Sequence, residues 1–278
     1  MGILSCRLSQ RRGELVMREP AVEAVRVRER SGSSPRSAER GLQDLACVQR
    51  QILNQSPPSV PAYRLELAYR PAYFATGDYH DFFQLPEGHA IFVGDGSGHG
   101  PVASILMVTM RTILHTHRHL HGDPGNALSG ACRLFHPLIP SDRFMTGVYL
   151  LLGDDGKVRW ASAGHHPPLW TQRSGEMLAF DHADIGLPLA ALPDEVYRTV
   201  TWQLAPGDRL LLFTDGLVEA RNLAGEPFGR QRLQELCREL RTVSLRDLIG
   251  EVLDQADKHL AGVEFEDDFT LVAVEHTG

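Results

Sequence analysis

The pattern of apolar and polar positions divides the chain into three parts. Residues 1–39 show little apolar periodicity and end in a Ser-, Gly- and Arg-rich stretch, a composition typical of flexible linkers. Apolar residues then recur at helical spacing over Gly41–Asn54, before a Pro-rich stretch that ends the helix. We therefore expect a disordered basic arm at 1–40, a linker helix with a Pro-rich turn at 41–61, and a folded domain at 62–278.

The folded domain combines strand-like and helix-like patterns. Six short apolar runs predict strands at Arg64–Arg70, His89–Asp95, Phe144–Gly153, Lys157–Ala163, Asp208–Asp215 and Phe269–Glu275. Longer stretches with helical spacing predict helices at about Pro101–Leu114, Pro124–His136, Arg230–Leu240 and Ser244–Leu260. In the first helix we expect one apolar stripe that includes Val102 and Ile105. Short turns between consecutive strands imply antiparallel pairing, so the pattern predicts an α+β domain with sheets between pairs of helices.

Composition and charge narrow the functional classes. The chain is 42% hydrophobic and 23% charged, as in ordinary globular proteins. Residues 1–42 carry nine Arg and five Glu, which gives a net charge of +4. Because the whole chain has a net charge of −7, the remaining residues carry −11. Such an acidic core argues against nucleic-acid binding and suits divalent cations. No apolar run has the length of a membrane span, and Arg11 and Arg12 lie where a signal peptide needs its apolar stretch. The four cysteines are scattered. We therefore expect a cytoplasmic protein with reduced thiols and no membrane contact.

The candidate chemistry lies in four separated aspartate motifs. Asp95 and Asp215 each follow an apolar run and enter a turn, Asp267 and Asp268 precede an apolar run, and Asp78 lies in a fourth motif. Any one of them is also typical of a solvated turn. Together they predict a metal site, because clustered carboxylates repel one another unless a cation compensates them. Oxygen ligands suit Mg²⁺ or Mn²⁺, and two such ions about 4 Å apart can activate a bridging water for in-line attack on phosphorus.

Six motifs occur in the order typical of one known family. They are Gly-Asp-Tyr-His-Asp, Asp-Gly-Ser-Gly-His-Gly, Phe-Met-Thr-Gly-Val-Tyr, Ala-Gly-His-His-Pro-Pro-Leu, Ala-Pro-Gly-Asp-Arg-Leu-Leu-Leu-Phe-Thr-Asp-Gly-Leu-Val-Glu-Ala and Asp-Asp-Phe-Thr-Leu-Val. From about Gln43 to His276 the chain resembles PPM-type metal-dependent serine/threonine phosphatases of the SpoIIE/RsbU branch. The resemblance implies an αββα sandwich, with two central antiparallel sheets flanked by helices and two Mn²⁺ or Mg²⁺ ions in a cleft.

The resemblance assigns six positions to the metal centre: Asp78, Asp95, Gly96, Asp215, Asp267 and Asp268. Asp95 would bridge both ions, with the Gly96 carbonyl as a further ligand. Asp215 and Asp267 would complete one shell, and Asp95, Asp215 and Asp267 would form the catalytic set. Asp78 would act on the other ion directly or through water, and Asp268 would hold the local network.

Several positions depart from the family pattern or leave alternatives open. His80 replaces the second Tyr of the usual motif, and Ser97 stands where eukaryotic relatives have a candidate acid, which leaves His99 as a guess for that role. His115, His117, His119 and His121 alternate near a helix end, where their i,i+4 pairs suit either a metal or simple interaction with the helix terminus. The turn that contains His165 and His166 is expected to shape the domain.

The resemblance implies hydrolysis of phosphoserine or phosphothreonine on a regulatory protein by metal-activated water. In this branch the usual substrate is an anti-sigma-factor antagonist of the STAS fold, which acts in bacterial partner switching. Two alternatives stay open: a non-catalytic docking module of the same fold, and a hydrolase of small phosphoesters. The helix at 41–54 either packs on the domain or forms a homodimer.

Overall fold

The computed structural model of the chain describes residues 35–53, 56–86, 88–178 and 180–278. Their strands form two sheets. In spatial order, the first consists of β1 (Tyr63–Arg70), β11 (Phe269–His276), β10 (Arg209–Phe213), β6 (Leu169–Thr171) and β7 (Met177–Leu178). The second consists of β2 (Asp78–Leu85), β3 (Gly88–Gly96), β4 (Met145–Leu152), β5 (Lys157–Ala163) and β8 (Ile185–Gly186), with β9 (Val200–Gln203) also paired to β5.

All strand pairs are antiparallel except β5 with β8. The described helices are α1 (Pro35–Leu53), α2 (Gly100–Thr116), α3 (Pro124–Phe135), α4 (Asp215–Val218), α5 (Arg230–Glu239) and α6 (Leu245–Leu260). None of these helices is both long enough and apolar enough to cross a membrane.

Three apolar layers hold the sheets and helices together. Leu210 and Leu212 of β10 join the core between the two sheets, whereas Leu211 and Phe213 join the core under α5 and α6. This alternation follows from the period of two along a strand. A third core lies between the second sheet, α2 and α3. The result is the predicted αββα sandwich, with the sheets inside and helices on both outer faces.

Strand β2 is an element that the sequence analysis missed. The strand carries Asp78, His80 and Asp81, all of which are buried. A strand is normally identified by alternating apolar and polar residues, and polar residues at these buried positions break that pattern. The strand pairs residue by residue with β3, so that Asp78 lies opposite Asp95.

Two helices also differ from prediction. The helix predicted over Gly41–Asn54 begins earlier, at Pro35, a residue favoured in the first helical turn. In α2, Val102 and Ile105 are 50% and 64% exposed, so the predicted apolar stripe is wrong at these two positions. The sheet is covered instead by a neighbouring face of α2 that includes Ala103 and Met107.

Two other predictions concern the chain ends and the thiols. The predicted disordered arm lies outside the described residues up to Ser34. Cys47, Cys132 and Cys237 are free thiols, as predicted, and Cys6 lies in the part that the structure does not describe.

Candidate metal centre

The four aspartate motifs meet at one end of the sandwich. Asp78 begins β2 and is paired with Asp95 near the end of β3. On the other sheet, Asp215 follows the end of β10, and Asp268 directly precedes β11. Because β10 and β11 are antiparallel, the end of one lies beside the start of the other. The fold thus gathers carboxylates that are far apart in sequence.

Asp78 is buried and held by two threonines. Its Oδ2 accepts hydrogen bonds from the hydroxyls of Thr214 (2.9 Å) and Thr270 (2.6 Å). The two threonines also bond each other, since the Thr270 amide donates to the Thr214 hydroxyl at 2.8 Å. Burial raises the pKa of Asp78 well above its usual value, Asp268 and Asp215 raise it further, and the threonine bonds oppose the shift. Asp78 therefore ties the two sheets together at the site.

Asp95 and the Gly96 carbonyl face a small space beside Gly77. A Cβ atom on Gly77 would lie 2.8 Å from the Gly96 oxygen and 3.1 Å from Asp95 Oδ1. Only a residue without a side chain leaves this space open. The carbonyl and the carboxylate that the resemblance assigned to the metals are thus close to the same point.

The neighbouring residues Asp267 and Asp268 have different surroundings. Asp268 is buried, and its two oxygens accept from the amides of Ala72 (2.7 Å) and Gly77 (3.1 Å). Asp267 is partly exposed, and its Oδ1 accepts only from the Asp268 amide (2.9 Å) among the described residues. Asp268 therefore holds the loop before β2, while Asp267 keeps an oxygen available to a ligand.

The carboxylates strongly affect one another. Burial raises the pKa of Asp95 to about 9, and Asp78, Asp215, Asp267 and Asp268 all add to this increase. The pKa of Asp267 is also raised, chiefly by burial. Carboxylates at this density therefore either keep protons or are compensated by bound cations.

Within the ranges that the structure describes, no three His, Cys, Asp or Glu side chains form a ready metal cage. The donors are instead separate carboxylates with the backbone carbonyl of Gly96. Such a set fits hard cations that keep several waters, as Mg²⁺ does, better than it fits a closed all-protein site. The chemistry of the donors therefore agrees with Mg²⁺ or Mn²⁺.

His165 is a buried residue that supports the site from between the sheets. Its Nε2 lies 3.0 Å from the Phe213 carbonyl oxygen, and its Nδ1 lies 2.8 Å from the Thr146 hydroxyl. Because a carbonyl only accepts, Nε2 carries the proton and Nδ1 accepts from Thr146. Burial lowers the pKa of His165 to about 3, so the ring is neutral. Its contacts are structural, as expected for this turn.

His166 and Arg230 lie next to the strand that delivers Asp215. The His166 ring stacks on Phe213 with a centroid distance of 5.1 Å, and the Arg230 guanidinium lies 5.9 Å from the same ring. Burial lowers the pKa of His166, and Arg230 lowers it further. The position of Arg230 beside this strand was not predicted from the sequence, because the spacing of apolar residues in its helix does not distinguish Arg230 from an ordinary solvent-exposed arginine.

The alternating histidines do not form the i,i+4 metal pairs considered above. Helix α2 ends at Thr116, so His117 and His121 do not share a helical face. His115 Nε2 lies 2.6 Å from buried Asp81. His121 is buried, with its ring nitrogens on the Tyr149 hydroxyl and the Leu114 carbonyl. These two histidines join α2 to the second sheet.

The candidate acid His99 lies at the rim of the site. It is exposed and stacks on Tyr73 with ring centroids 5.0 Å apart. Ser97 is engaged with Phe144: the Ser97 hydroxyl accepts from the Phe144 amide at 3.1 Å. His99 is therefore accessible from solvent, whereas the side chain of Ser97 is occupied.

Comparisons with known proteins identify the family and the fold of the chain. Residues 86–277 match the family model of Stage II sporulation protein E (SpoIIE). The phosphoserine phosphatase RsbU of Bacillus subtilis is 27% identical over 230 residues, which cover 82% of this chain and 68% of RsbU. The SiaA-PP2C domain of Pseudomonas aeruginosa superposes with a TM-score of 0.76 at 19% identity, covering 86% of this chain and 97% of that domain.

A metal-bound phosphatase has the same fold. The catalytic domain of the serine/threonine protein phosphatase PstP, solved with 2 manganese ions, matches with a TM-score of 0.54 at 15% identity. The match covers 78% of this chain and 99% of that domain.

Proposed function

Because the chain belongs to the SpoIIE family of PPM-type phosphatases, we propose that it hydrolyses phosphoserine or phosphothreonine on a regulatory protein. The observation that carries the proposal is the convergence of Asp78, Asp95, Asp215 and Asp267 at one end of the two sheets. The similarity to a phosphoserine phosphatase supports the same reaction.

Two divalent ions, Mn²⁺ or Mg²⁺, are part of this proposal. Asp95 would hold both ions, and the Gly96 carbonyl would add a further ligand. Asp215 and Asp267 would complete the shell of one ion. Asp78 would act on the other ion, directly or through water. When bound, such ions lower the pKa of a water and neutralise the phosphoryl oxygens. The open space beside Gly77 and the mutual repulsion of the carboxylates support this assignment.

The protein's own groups position the site. The threonine hydroxyls fix Asp78 in one orientation through Oδ2, and Oδ1 has no hydrogen-bond partner among the described residues. Asp268 fastens the loop of Ala72 and Gly77, and His165 fixes the end of β10 through Phe213. Held geometry of this kind reduces the reorganisation needed during reaction.

We propose a STAS-type anti-sigma-factor antagonist as the substrate, in a bacterial partner-switching pathway within the cytoplasm. Two observations support this substrate: the six motifs resemble those of the branch in which such substrates are usual, and the chain is 27% identical in sequence to RsbU over 230 residues. An α1-mediated homodimer belongs to the same proposal, since Val48 on that helix is 55% exposed.

Phosphate release from phosphorylated candidate antagonists tests the function. Purified protein with Mn²⁺ should release phosphate, and excess chelator should abolish release. Asp95→Asn should lose activity by orders of magnitude, whereas the matched control Asp254→Asn, at an exposed position of α6, should retain it. Activity on a small phosphoester with none on any phosphoprotein would favour the small-ester alternative. Binding without turnover would favour a docking module.

A further inference from the structure

A second polar cavity lies at the opposite end of the first sheet from the aspartates. Its volume is about 310 Å³, and its lining includes Arg64, Arg173, Arg209, Arg241 and Glu275. Arg209 begins β10, and Glu275 lies near the end of β11. At about 3.3 Å per strand residue, the cavity lies roughly 20–25 Å from the metal centre. It is therefore a separate site.

One carboxylate serves two of the four arginines. Glu275 Oε2 accepts from Arg209 Nε at 2.9 Å and from Nη2 at 2.6 Å, while Oε1 accepts from Arg64 Nη1 at 3.2 Å. Arg209 also donates to the carbonyls of Leu240 and Val243. Among the described residues that line the cavity, Glu275 is the single acidic side chain, and both its oxygens are occupied.

The other two arginines have no carboxylate partner in the part of the chain that the structure describes. Arg241 donates from Nη1 to the Arg238 carbonyl at 3.0 Å, and its Nε is buried without a hydrogen-bond partner. For the Arg173 side chain, no hydrogen bond or ion pair is present within those same ranges. Arg173 is exposed and Arg241 is half-buried, and neither guanidinium has an acidic partner among the described residues, so a bound anion would supply one.

Glycines bring the stems of these two arginines close to the backbone. A Cβ on Gly207 would lie 2.8 Å from Arg173 Cδ, and a Cβ on Gly175 would lie 3.2 Å from Arg241 Nε. Both glycines have positive φ, 91° and 93° respectively, a conformation that favours glycine. The stem of Arg173 and the Nε end of Arg241 thus pack against backbone, which lowers the entropy cost of binding a ligand with these side chains.

We propose that this cavity binds a small, multiply charged oxyanion of the phosphate class, held by Arg173 and Arg241. Guanidinium groups bind phosphate oxygens in pairs of parallel hydrogen bonds. The volume is at the lower limit for small-molecule sites, which suits a phosphate with a small organic body. The inference stands apart from the proposed phosphatase activity.

Anion binding by the metal-free full-length chain tests this site. Without metals the aspartate end is acidic and repels phosphate, so binding in excess chelator reports on the arginine cavity. Titration calorimetry with inorganic phosphate, and then with AMP, should show saturable binding that chloride at equal ionic strength does not reproduce. Tighter binding of AMP would identify an organophosphate ligand, and equal binding would identify the inorganic ion.

Arg173→Ala with Arg241→Ala should weaken phosphate binding roughly tenfold to a hundredfold, the loss expected for charged hydrogen bonds. The variant with Arg173→Lys and Arg241→Lys should retain part of the affinity for phosphate. Removing two arginines elsewhere, Arg198→Ala with Arg246→Ala, subtracts the same charge from side chains that are 72% and 84% exposed and should have little effect. Equal phosphate affinity in the Arg173/Arg241 double variant and wild type, with both folded by circular dichroism, would overturn the proposal. So would the absence of phosphate binding.

Discussion

The side chain of Gln49 makes two hydrogen bonds with the backbone of Thr76. Gln49 Nε2 donates to the Thr76 carbonyl at 2.7 Å, and the Thr76 amide donates to Gln49 Oε1 at 2.9 Å. Both residues are buried. Thr76 immediately precedes Gly77 and Asp78, and its hydroxyl accepts from the Asp78 amide at 3.0 Å. Helix α1 is thereby connected to the loop that places two parts of the metal centre.

Replacing Gln49 should weaken the metal centre without removing a ligand. Gln49→Leu leaves the Thr76 amide and carbonyl buried without partners, at a cost of about 1–3 kcal/mol for an unsatisfied group. We expect a lower thermal midpoint and a higher Mn²⁺ concentration for half-maximal phosphatase activity. The control is Gln51→Leu, at an exposed position on the same helix. An unchanged Mn²⁺ requirement in Gln49→Leu would show that the loop keeps its position without α1.

Asp95→Asn should stabilise the metal-free protein, and the gain should grow with pH. The raised pKa of Asp95, about 9, means that the folded state holds this proton more tightly than the unfolded state. Its contribution to stability is therefore present below about pH 4 and is lost as pH rises towards 9. Asn carries no charge to repel its neighbours, so the variant should escape this loss.

Urea unfolding in excess chelator at several pH values measures this difference between Asp95→Asn and wild type. Saturating Mn²⁺ should reverse the order, since wild type then gains stability from a ligand that the variant binds poorly. A metal-free stability difference that stays constant from pH 5 to pH 9 would contradict the electrostatic explanation.

Thr270→Val should reduce activity by disordering Asp78. The substitution keeps the shape of the side chain but removes the hydroxyl that donates to Asp78 Oδ2 at 2.6 Å. The loss of one hydrogen bond costs about 0.5–1.5 kcal/mol, and about 1.5–3 kcal/mol where the acceptor is ionised, so we expect reduced stability together with lower kcat. Thr109→Val, on the outer side of α2, is the matched control, because its hydroxyl donates to the Ile105 carbonyl of the same helix. If Thr270→Val has the kcat of wild type, the hydroxyl of Thr270 is not needed to position Asp78.

Apolar strands and their terminal aspartates were accessible from the sequence. The segments leading to Asp95 and Asp215 are apolar runs, and the structure places both as strands of the central sheets. Other features depend on tertiary contacts that no local pattern encodes. Gln49 is one polar residue on an otherwise apolar helical face, and its partner lies 27 positions away. In strand β2, the buried carboxylate of Asp78 is satisfied by the hydroxyls of Thr214 and Thr270, which come from other strands and loops far along the chain.

A substitution on the exposed side of α1 distinguishes two roles for this helix: a passive packed element, or an interface between two copies of the chain. Ala46 and Leu53 are buried, whereas Leu45 and Ile52 are half-buried.

The helix therefore packs on the domain with one face and leaves Val48, 55% exposed, on another. An exposed apolar side chain next to half-buried ones is typical of an association surface when it is continuous. Val48→Asp should not unfold the domain, because the side chain already contacts solvent. In a homodimer through α1, the introduced charge would be buried against its symmetry copy, which should shift the protein towards monomer and lower its activity on a phosphoprotein. Light scattering after size exclusion, together with phosphate release, measures both effects, with Gln51→Asp as the control on the same helix. If mass and turnover of Val48→Asp both equal those of wild type, α1 acts only as a packed connection to the metal centre.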